Sequence, residues 1–309
     1  MLHQDKQIFI VGYGAIGKAL AVFLQRRGAN VKLVRGRLQE GATIQQQLEV
    51  QLPDGSQVDA GIEILPLNAL QGQQGVLVLT TKSFGNATLA ATLQSIGVNM
   101  PLVILQNGLN VEQPFLQPGF ENVYRCVLFA TSQNMDEQRV RFKPVAVSQV
   151  GVVKGEPGLL QEIVVLINTD DFPFSATTDI QPITWKKAIA NSVFNSVCPL
   201  LQADNGIFHR NAAAMQIAAE IIRECVLVAA AKGIPLQAAD IENTLLQISK
   251  SSDGQLISTL QDLNNGRPTE IDTLNIAIAA MAAELNMLEK VPRTAMLGQL
   301  IKIKESLTK

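Results

Sequence analysis

Histidine is scarce in this chain of 309 residues: there are two, at positions 3 and 209, alongside a single Trp and three Cys. Two histidines so far apart give little support to a histidine-based catalytic dyad or a metal site, and His3 falls in an N-terminal stretch expected to be disordered. Cys126, Cys198 and Cys225 are few, widely spaced and odd in number. They argue against a disulfide framework or a zinc site, and for reduced thiols in the cytoplasm. An excess of one charge is also lacking. The 25 Lys and Arg against 27 Asp and Glu leave a formal net charge of −2, so there is no basic field to hold a nucleic acid. No charge-free apolar run is long enough to span a bilayer. The stretch from Met1 to Gln7 enters the first strand-like run without a basic n-region, a signal-type apolar segment and a cleavage site, so no membrane partner and a cytoplasmic location are expected. What the chain does have is 47% hydrophobic residues, enough for a sizeable core and compatible with two domains.

The first motif is Gly12-Tyr13-Gly14-Ala15-Ile16-Gly17, placed after the apolar run Ile8–Val11 and opening the apolar-periodic stretch Ile16 to Leu24. A strand, a glycine turn and a helix in that order suit a dinucleotide pyrophosphate. The first glycine permits the tight turn, the second lets backbone approach phosphate, and the third brings helix against strand. The helix N-terminus adds unpaired N–H groups and partial positive charge. The next strand, over 30–34, would end beside the adenosine ribose, and it runs into Arg35-Gly36-Arg37 with no acidic residue before Glu40. Two guanidinium groups there favour a 2′-phosphate and hence NADP(H); a solvated basic turn is the alternative.

Strand-like runs at 8–11, 31–34, 76–79, 102–105 and 123–129 alternate with helical patterns, the order of a mostly parallel, doubly wound sheet. Alternation on both sides of Asp54-Gly55 predicts a hairpin inserted at the sheet edge, and a second alternating pair, 140–145 and 147–153, is expected to continue the sheet in antiparallel fashion. From about Thr178 the period becomes helical, with Ala/Ile/Leu-rich segments at 185–201, 211–232, 237–248 and 272–287. The chain therefore reads as an α/β Rossmann-type dinucleotide-binding domain, 1–175, followed by an all-α domain, 176–309. The Ala/Ile-rich helices are compatible with a homodimer, and Met281, Met287 and Met296 read as fillers of helical core or interface gaps.

In the helical half, Lys187, Asn191 and Asn195 recur every four residues and so share one face of a helix that is apolar around most of its girth. A lysine and two amides in a largely buried helix are costly unless paired or lining a cavity; a solvated face is the bland reading of the same stripe. Asp204-Asn205-Gly206 reads as a turn, with Asn205 able to face the same cavity. Pro268-Thr269 looks like a helix start with Glu270 in its first turn, where a carboxylate complements the helix dipole with no chemistry required.

Seven segments taken in order, VGYGAIG at 11–17, LVRGR at 33–37, LTTKS at 79–83, LQNGL at 105–109, WKKAIANSVFN at 185–195, DNG at 204–206 and STLQDLNNGRPTEID at 258–272, resemble the ketopantoate reductase family, the NADPH-dependent 2-dehydropantoate 2-reductases. The resemblance runs over almost the whole chain. It implies a Rossmann domain followed by an all-helical domain with the active site between them, NADP(H) as cofactor, and a small 2-oxo acid as substrate. It also implies Lys187 as general acid, Asn191 and Asn195 lining the substrate cleft, Asn107-Gly108 beside the nicotinamide, Lys82 near the cofactor, and site roles for Asn205, Ser258 and Glu270. Three departures border the implied pocket: Ser196 where the family has Pro, Gln255 where some members have Asn, and Asn275-Ile276 where Asn-Gly is usual. They bear on substrate identity more than on reaction type.

The chemistry expected from this set is hydride addition to the ketone of ketopantoate, giving (R)-pantoate for pantothenate biosynthesis. Lys187 protonates the developing alkoxide, Glu270 orients the lysine and also contacts cofactor, and Asn191, Asn195 and Ser258 bind carboxylate and hydroxyl. Two other readings remain open: a paralogue that reduces another 2-oxo acid or joins an amine to one as opine-type dehydrogenases do, and a non-catalytic NADP(H)-responsive binding protein.

Overall fold

The computed structural model describes residues 6–39 and 41–308, so His3 and Glu40 lie outside the described residues. By Cα proximity the chain divides into two compact units. The first comprises residues 1–106 and 112–180, the second 107–111 and 181–309. The division falls at 180/181, and a short segment after the sixth strand clusters with the helical unit, which a single boundary in the sequence does not convey.

Eleven strands lie in one sheet among the described residues: β1 (Ile8–Val11), β2 (Val31–Val34), β3 (Ile44–Gln51), β4 (Gln57–Leu65), β5 (Val76–Leu79), β6 (Leu102–Ile104), β7 (Val123–Val127), β8 (Ala130–Asn134), β9 (Arg139–Pro144), β10 (Ser148–Lys154) and β11 (Phe174–Ala176). Their order is β11-β10-β7-β6-β5-β1-β2-β4-β3-β9-β8. The stretch from β7 to β4 is parallel throughout, with Ile8 level with both Val31 and Val76. Every residue of β1, β5 and β6 is buried, as a parallel strand covered on both faces must be. The chain builds outward from β1 through β2 to β4, then returns to place β5 on the other side of β1. Such a reversal opens a crevice at the carboxyl ends of β1 and β5.

The hairpin expected at Asp54-Gly55 forms between β3 and β4, closing at Gln51 and Gln57, but it lies within the sheet rather than at its edge, because β4 also pairs with β2 and β3 with β9. The second alternating pair also continues the sheet with antiparallel neighbours, but at two separate places: β9 and β10 do not pair with each other. β9 joins β3 in parallel and β8 in antiparallel fashion, whereas β10 runs antiparallel to β7 near the opposite end of the sheet. Alternation reports that a strand has one buried face, not which strand is its neighbour. The physical reason for β9's position is the first helix, α1 (Ala15–Arg26), whose residues 17–24 are all buried. A helix buried on all sides needs cover on all sides. Phe142 of β9 supplies part of it, edge-on to Phe23 with ring centroids 5.2 Å apart, and Phe172 meets the same ring at 6.5 Å. Helices α2 (Asn86–Ser95) and α3 (Leu160–Ile167) complete this unit.

In the second unit, α4 (Gln181–Leu201), α5 (Ile207–Arg210), α6 (Ala212–Ala231), α7 (Ala238–Ser251), α8 (Ser258–Asn264), α9 (Asn275–Glu284) and α10 (Pro292–Leu307) enclose a separate core, and no described residue beyond Ala176 is in a strand. The start of α10 is fastened by Glu224 of α6, a buried carboxylate whose Oε2 accepts from the Thr294 N–H and hydroxyl at 2.8 Å each. Negative charge is favourable at a helix N-terminus. Met281 is buried and Met287 packs on this core, but Met296 is 56% exposed and fills no gap among the described residues. No helix among the described residues is long and apolar enough to cross a membrane.

The three thiols are buried, and burial pushes those of Cys198 and Cys225 up to about 12. An aromatic disulfide reagent at about pH 8 is expected to label the denatured chain rapidly and the folded chain very slowly; comparable rates would contradict this packing. A second test concerns Gly17, where a Cβ would press on the Gly12 carbonyl and lie 2.6 Å from Thr80 Oγ1. Gly17→Ala should lower the stability of the first unit by about 1–3 kcal/mol, read as a lower denaturation midpoint in circular dichroism.

Candidate functional site

The glycine turn lies at the crevice end of β1, and its three glycines are distinguished by their surroundings. Gly12 has φ +133, a conformation L side chains rarely adopt, and a Cβ there would come within 2.5 Å of Thr80 Oγ1. Gly17 has no room because of Gly12 itself. A Cβ on Gly14, by contrast, would meet no atom within 4 Å, so the middle glycine faces an open cradle. Gly14 is the N-cap of α1, no side chain caps that end, and no acidic residue stands in the first turn. Backbone N–H groups of Ala15, Ile16 and Gly17 and the helix dipole are thus available to an anion, and these residues fit a dinucleotide pyrophosphate. Thr80 holds the turn from β5, its hydroxyl donating to the Gly12 carbonyl at 3.2 Å. The LTTKS motif contains this residue, though nothing in the spacing assigns it that contact.

Arg35 directly follows β2, as expected, with its guanidinium carbon 4.6 Å from the centroid of the Tyr13 ring. The sequence has no acidic residue here before Glu40, and the fold brings one from elsewhere: Glu137, in the turn between β8 and β9, places Oε1 3.2 Å from Arg35 Nη1. No local pattern could have paired residues 102 positions apart. Lys18 of α1, buried despite its charge, donates to the Glu137 carbonyl at 2.9 Å. Burial draws its ammonium below the ordinary lysine range, partly offset by the Asp136 and Glu137 charges. Arg37 and Lys82 are exposed, Lys82 at the start of the single turn Ser83–Gly85.

The second cluster belongs to the helical unit. Lys187 is half-buried on α4, and its ammonium donates to Asn107 Oδ1 at 2.8 Å. Asn107 opens the segment that follows β6 and clusters with the helices. Its orientation comes from the next two residues. Gly108 takes φ +97 and packs against Thr273 so closely that no side chain fits, and Leu109 N–H donates to the Thr273 carbonyl at 2.7 Å. Thr273 in turn bonds the Glu270 carbonyl through both N–H, at 3.1 Å, and hydroxyl, at 3.0 Å. Lys187, Asn107 and the Glu270 segment are thereby linked through one continuous set of contacts. The acidic position is held from α10 as well, where buried Glu305 accepts from the Thr269 N–H at 3.1 Å and hydroxyl at 2.8 Å. Glu270 is not in the first turn of an α-helix, as its sequence context suggests. It precedes a single 3-10 turn, Ile271–Thr273, and α9 begins only at Asn275. The helix-dipole account of Glu270 loses its helix.

The asparagines divide. Asn191 is half-buried, whereas Asn195 is buried, with Nδ2 donating to the Asn191 carbonyl at 2.9 Å and Oδ1 accepting from the Thr259 hydroxyl at 2.7 Å. Thr259, next to Ser258 on α8, escapes sequence reading because threonine inside an apolar helix is unremarkable. Ser258 is exposed, its hydroxyl 3.5 Å from the same Asn195 oxygen. Asn205 is buried, with its N–H on the Gln255 carbonyl at 2.9 Å and its carbonyl taking the Ser249 hydroxyl at 2.7 Å. Its Oδ1 has no hydrogen-bond partner among the described residues, an acceptor suited to water or a ligand. Arg210, paired with Asp204 at 2.8 Å and with Asp253, fastens the turn that carries it.

The three departures are structurally plain. Ser196 is wholly buried and returns its hydroxyl to the Ser192 carbonyl at 2.7 Å, so it satisfies its own helix. Gln255 is exposed and serves Asn205 through backbone. Ile276 stands where the family's glycine is usual, and the small residue lies across the contact instead: a Cβ on Gly298 of α10 would approach Ile276 Cδ1 to 2.9 Å and Asn275 Cβ to 3.0 Å.

Comparison with known proteins agrees with this arrangement. Residues 8–154 match the model described as Ketopantoate reductase PanE/ApbA, and residues 179–305 match its C-terminal counterpart. The 2-dehydropantoate 2-reductase of Pyrococcus horikoshii is 26% identical over 309 residues, covering 97% of this chain and 98% of that protein. The enzyme of that name from Pyrobaculum aerophilum is 23% identical, covering 96% and 98%. Among solved structures, a D-mandelate dehydrogenase with NADH and anilino(oxo)acetate superposes with a TM-score of 0.84 at 21% identity, over 98% of this chain and 99% of that one. A dimeric ketopantoate reductase from Staphylococcus aureus gives 0.81 at 17% identity, over 98% and 100%. The same N-terminal α/β Rossmann-like domain followed by an all-α bundle is therefore shared, and with both halves matched by the models of one family, the chain belongs to the ketopantoate reductase (PanE/ApbA) superfamily of oxidoreductases.

Proposed function

We propose that this protein is an NADP(H)-dependent reductase of 2-oxo acids whose substrate is ketopantoate, reduced to (R)-pantoate in the cytoplasm as a step of pantothenate biosynthesis. The observation that carries the reading is the Lys187 ammonium held at 2.8 Å on the amide oxygen of Asn107. A lysine held on a neutral amide oxygen keeps its positive charge and is fixed in position, as a donor to a substrate oxygen must be. The 2-dehydropantoate 2-reductase names of the full-length archaeal relatives support the choice of substrate.

A reduced nicotinamide, when bound, supplies a hydride to a carbonyl carbon. The chain's own residues have the complementary task at the carbonyl oxygen. Negative charge grows there, and the Lys187 ammonium stabilises it and gives up a proton from Nζ. Asn107 limits the arcs the lysine can sweep, so that less orientational freedom is lost at the moment of reaction. Asn195 accepts from Thr259 and donates one N–H within α4, which leaves its second N–H for a substrate oxygen. The exposed Ser258 hydroxyl and the unpartnered Asn205 Oδ1 add a donor–acceptor pair and an acceptor, suited to a substrate that carries both carboxylate and hydroxyl. Neutral groups hold a carboxylate there without a second cation competing with the lysine.

A second reading, reduction of a different 2-oxo acid, is favoured by Ile276, a bulkier residue than the family's usual glycine beside the Glu270 segment, and by the likeness to a dehydrogenase solved with anilino(oxo)acetate. Loss of NADPH absorbance with ketopantoate and with branched and aromatic 2-oxo acids, each with and without an added amine, separates the readings. The highest kcat/KM is expected for ketopantoate. A higher value for another acid would move the assignment to the second reading, and turnover only with amine would indicate opine-type chemistry.

Two substitutions test the roles. Lys187→Ala should lower kcat by about 10²-fold or more, the usual contribution of a general acid; an unchanged kcat would remove Lys187 from the chemistry. Arg35→Ala should weaken binding of NADPH far more than of NADH, measured by fluorescence titration, whereas an equal loss for both would refute contact with a 2′-phosphate.

A further inference from the structure

Four charged or aromatic groups meet at the carboxyl end of β2. The Arg35 guanidinium lies over the Tyr13 ring and 3.2 Å from Glu137 Oε1. The turn carrying Glu137 is firmly held. Its carbonyl accepts from Lys18 Nζ at 2.9 Å and sits 3.3 Å from the Tyr13 hydroxyl, which itself donates to Gln46 Oε1 at 2.6 Å. One residue earlier, the Asp136 carboxylate accepts the N–H groups of Gln138 and Arg139 at 2.9 and 2.8 Å and the Arg139 side chain at 2.5 Å. Those bonds hold its carboxyl down at about 2, so the turn keeps its shape across ordinary pH. Glu137 therefore presents its carboxylate to Arg35 from a fastened backbone, with two-thirds of its own side chain open to solvent.

In dinucleotide folds an acidic group near the end of the second strand accepts from a ribose 2′-hydroxyl, and an arginine accommodates a 2′-phosphate. This chain has the arginine on β2 and receives the carboxylate from a turn 102 residues further on. Resting on the dinucleotide reading above, we propose that Glu137 sets the choice between the two cofactors: its carboxylate competes with a 2′-phosphate for Arg35 and offers an acceptor to a 2′-hydroxyl. A phosphate arriving at Arg35 must displace or stand beside a negative charge, and a hydroxyl need not. The chain is accordingly less selective for NADP(H) than Arg35 and Arg37 alone would make it.

The test is calorimetric titration of NADP⁺ and NAD⁺ into the wild-type protein, Glu137→Gln, Arg35→Ala and the double variant. Glutamine keeps the length of the side chain and leaves the backbone carbonyl that anchors Lys18. Glu137→Gln should tighten NADP⁺ by roughly fivefold relative to NAD⁺, with the gain shrinking as salt is raised. In the Arg35→Ala background the same substitution should shift the ratio much less, because the two residues act as a pair. An NADP⁺-to-NAD⁺ ratio that is unchanged or moves toward NAD⁺ while both nucleotides still bind overturns the role of Glu137 and leaves the dinucleotide reading standing. Failure of the wild-type protein to bind either nucleotide overturns that reading and this one with it.

Discussion

Positions 12 and 17 admit no side chain, and the first unit is organised around that constraint. The Gly12 carbonyl, the Thr80 hydroxyl and the start of α1 approach one another so closely that a methyl group at either glycine would displace backbone. The closeness brings α1 down onto the crevice between β1 and β5, and the helix is then enclosed on its other sides by β3, β9 and Phe172. The open space at Gly14 is the counterpart of the crowding at its neighbours. A helix terminus without its own cap, in a crevice with room beside it, is a place for an anion.

The helical unit solves a different problem, that of polar groups inside apolar helices. Serines 192 and 196 return their hydroxyls to α4, and Asn195 is tied to Asn191 through one N–H and to Thr259 through its amide oxygen, so most of this polar set is bonded within the helix pair. Lys187 looks outward from that arrangement to Asn107, and Asn205 keeps an acceptor unspent. The contrast is between groups whose bonds close within the bundle and an acceptor that stands without a partner among the described residues. Buried polar groups are costly when unpaired, so the few that remain are informative.

Much of the first unit was legible because its signals are local. Ile8–Val11 followed by Gly12, Gly14 and Gly17 states strand, turn and helix in a single run, and Asp54-Gly55 closes a hairpin between its flanking alternations. The runs 140–145 and 147–153 are strands with one antiparallel neighbour each, as their alternation predicts, but alternation carries no information about which strand that neighbour is or that the two lie far apart in the sheet. In the helical half, the spacing of Lys187, Asn191 and Asn195 announced a shared face. It did not reveal that Asn195 would be absorbed into the fold while Lys187 would find a partner 80 residues earlier. The helix start inferred at Pro268-Thr269 failed because Glu305 of α10 captures Thr269 and a 3-10 turn follows, an influence from 36 residues away.

By itself, then, the amino-acid order determined what short-range physics can specify: an α/β half and an α half, a glycine turn whose φ angles and lack of Cβ suit phosphate, and a lysine–asparagine face. Tertiary structure alone decided which groups confront one another across long stretches of chain. Glu137 against Arg35, Thr273 against Gly108 and Thr259 against Asn195 are each set by packing of separate elements. Hydrogen bonds and ion pairs reach only about 3 Å, and that distance is fixed by which surfaces the hydrophobic cores bring together rather than by any spacing along the chain.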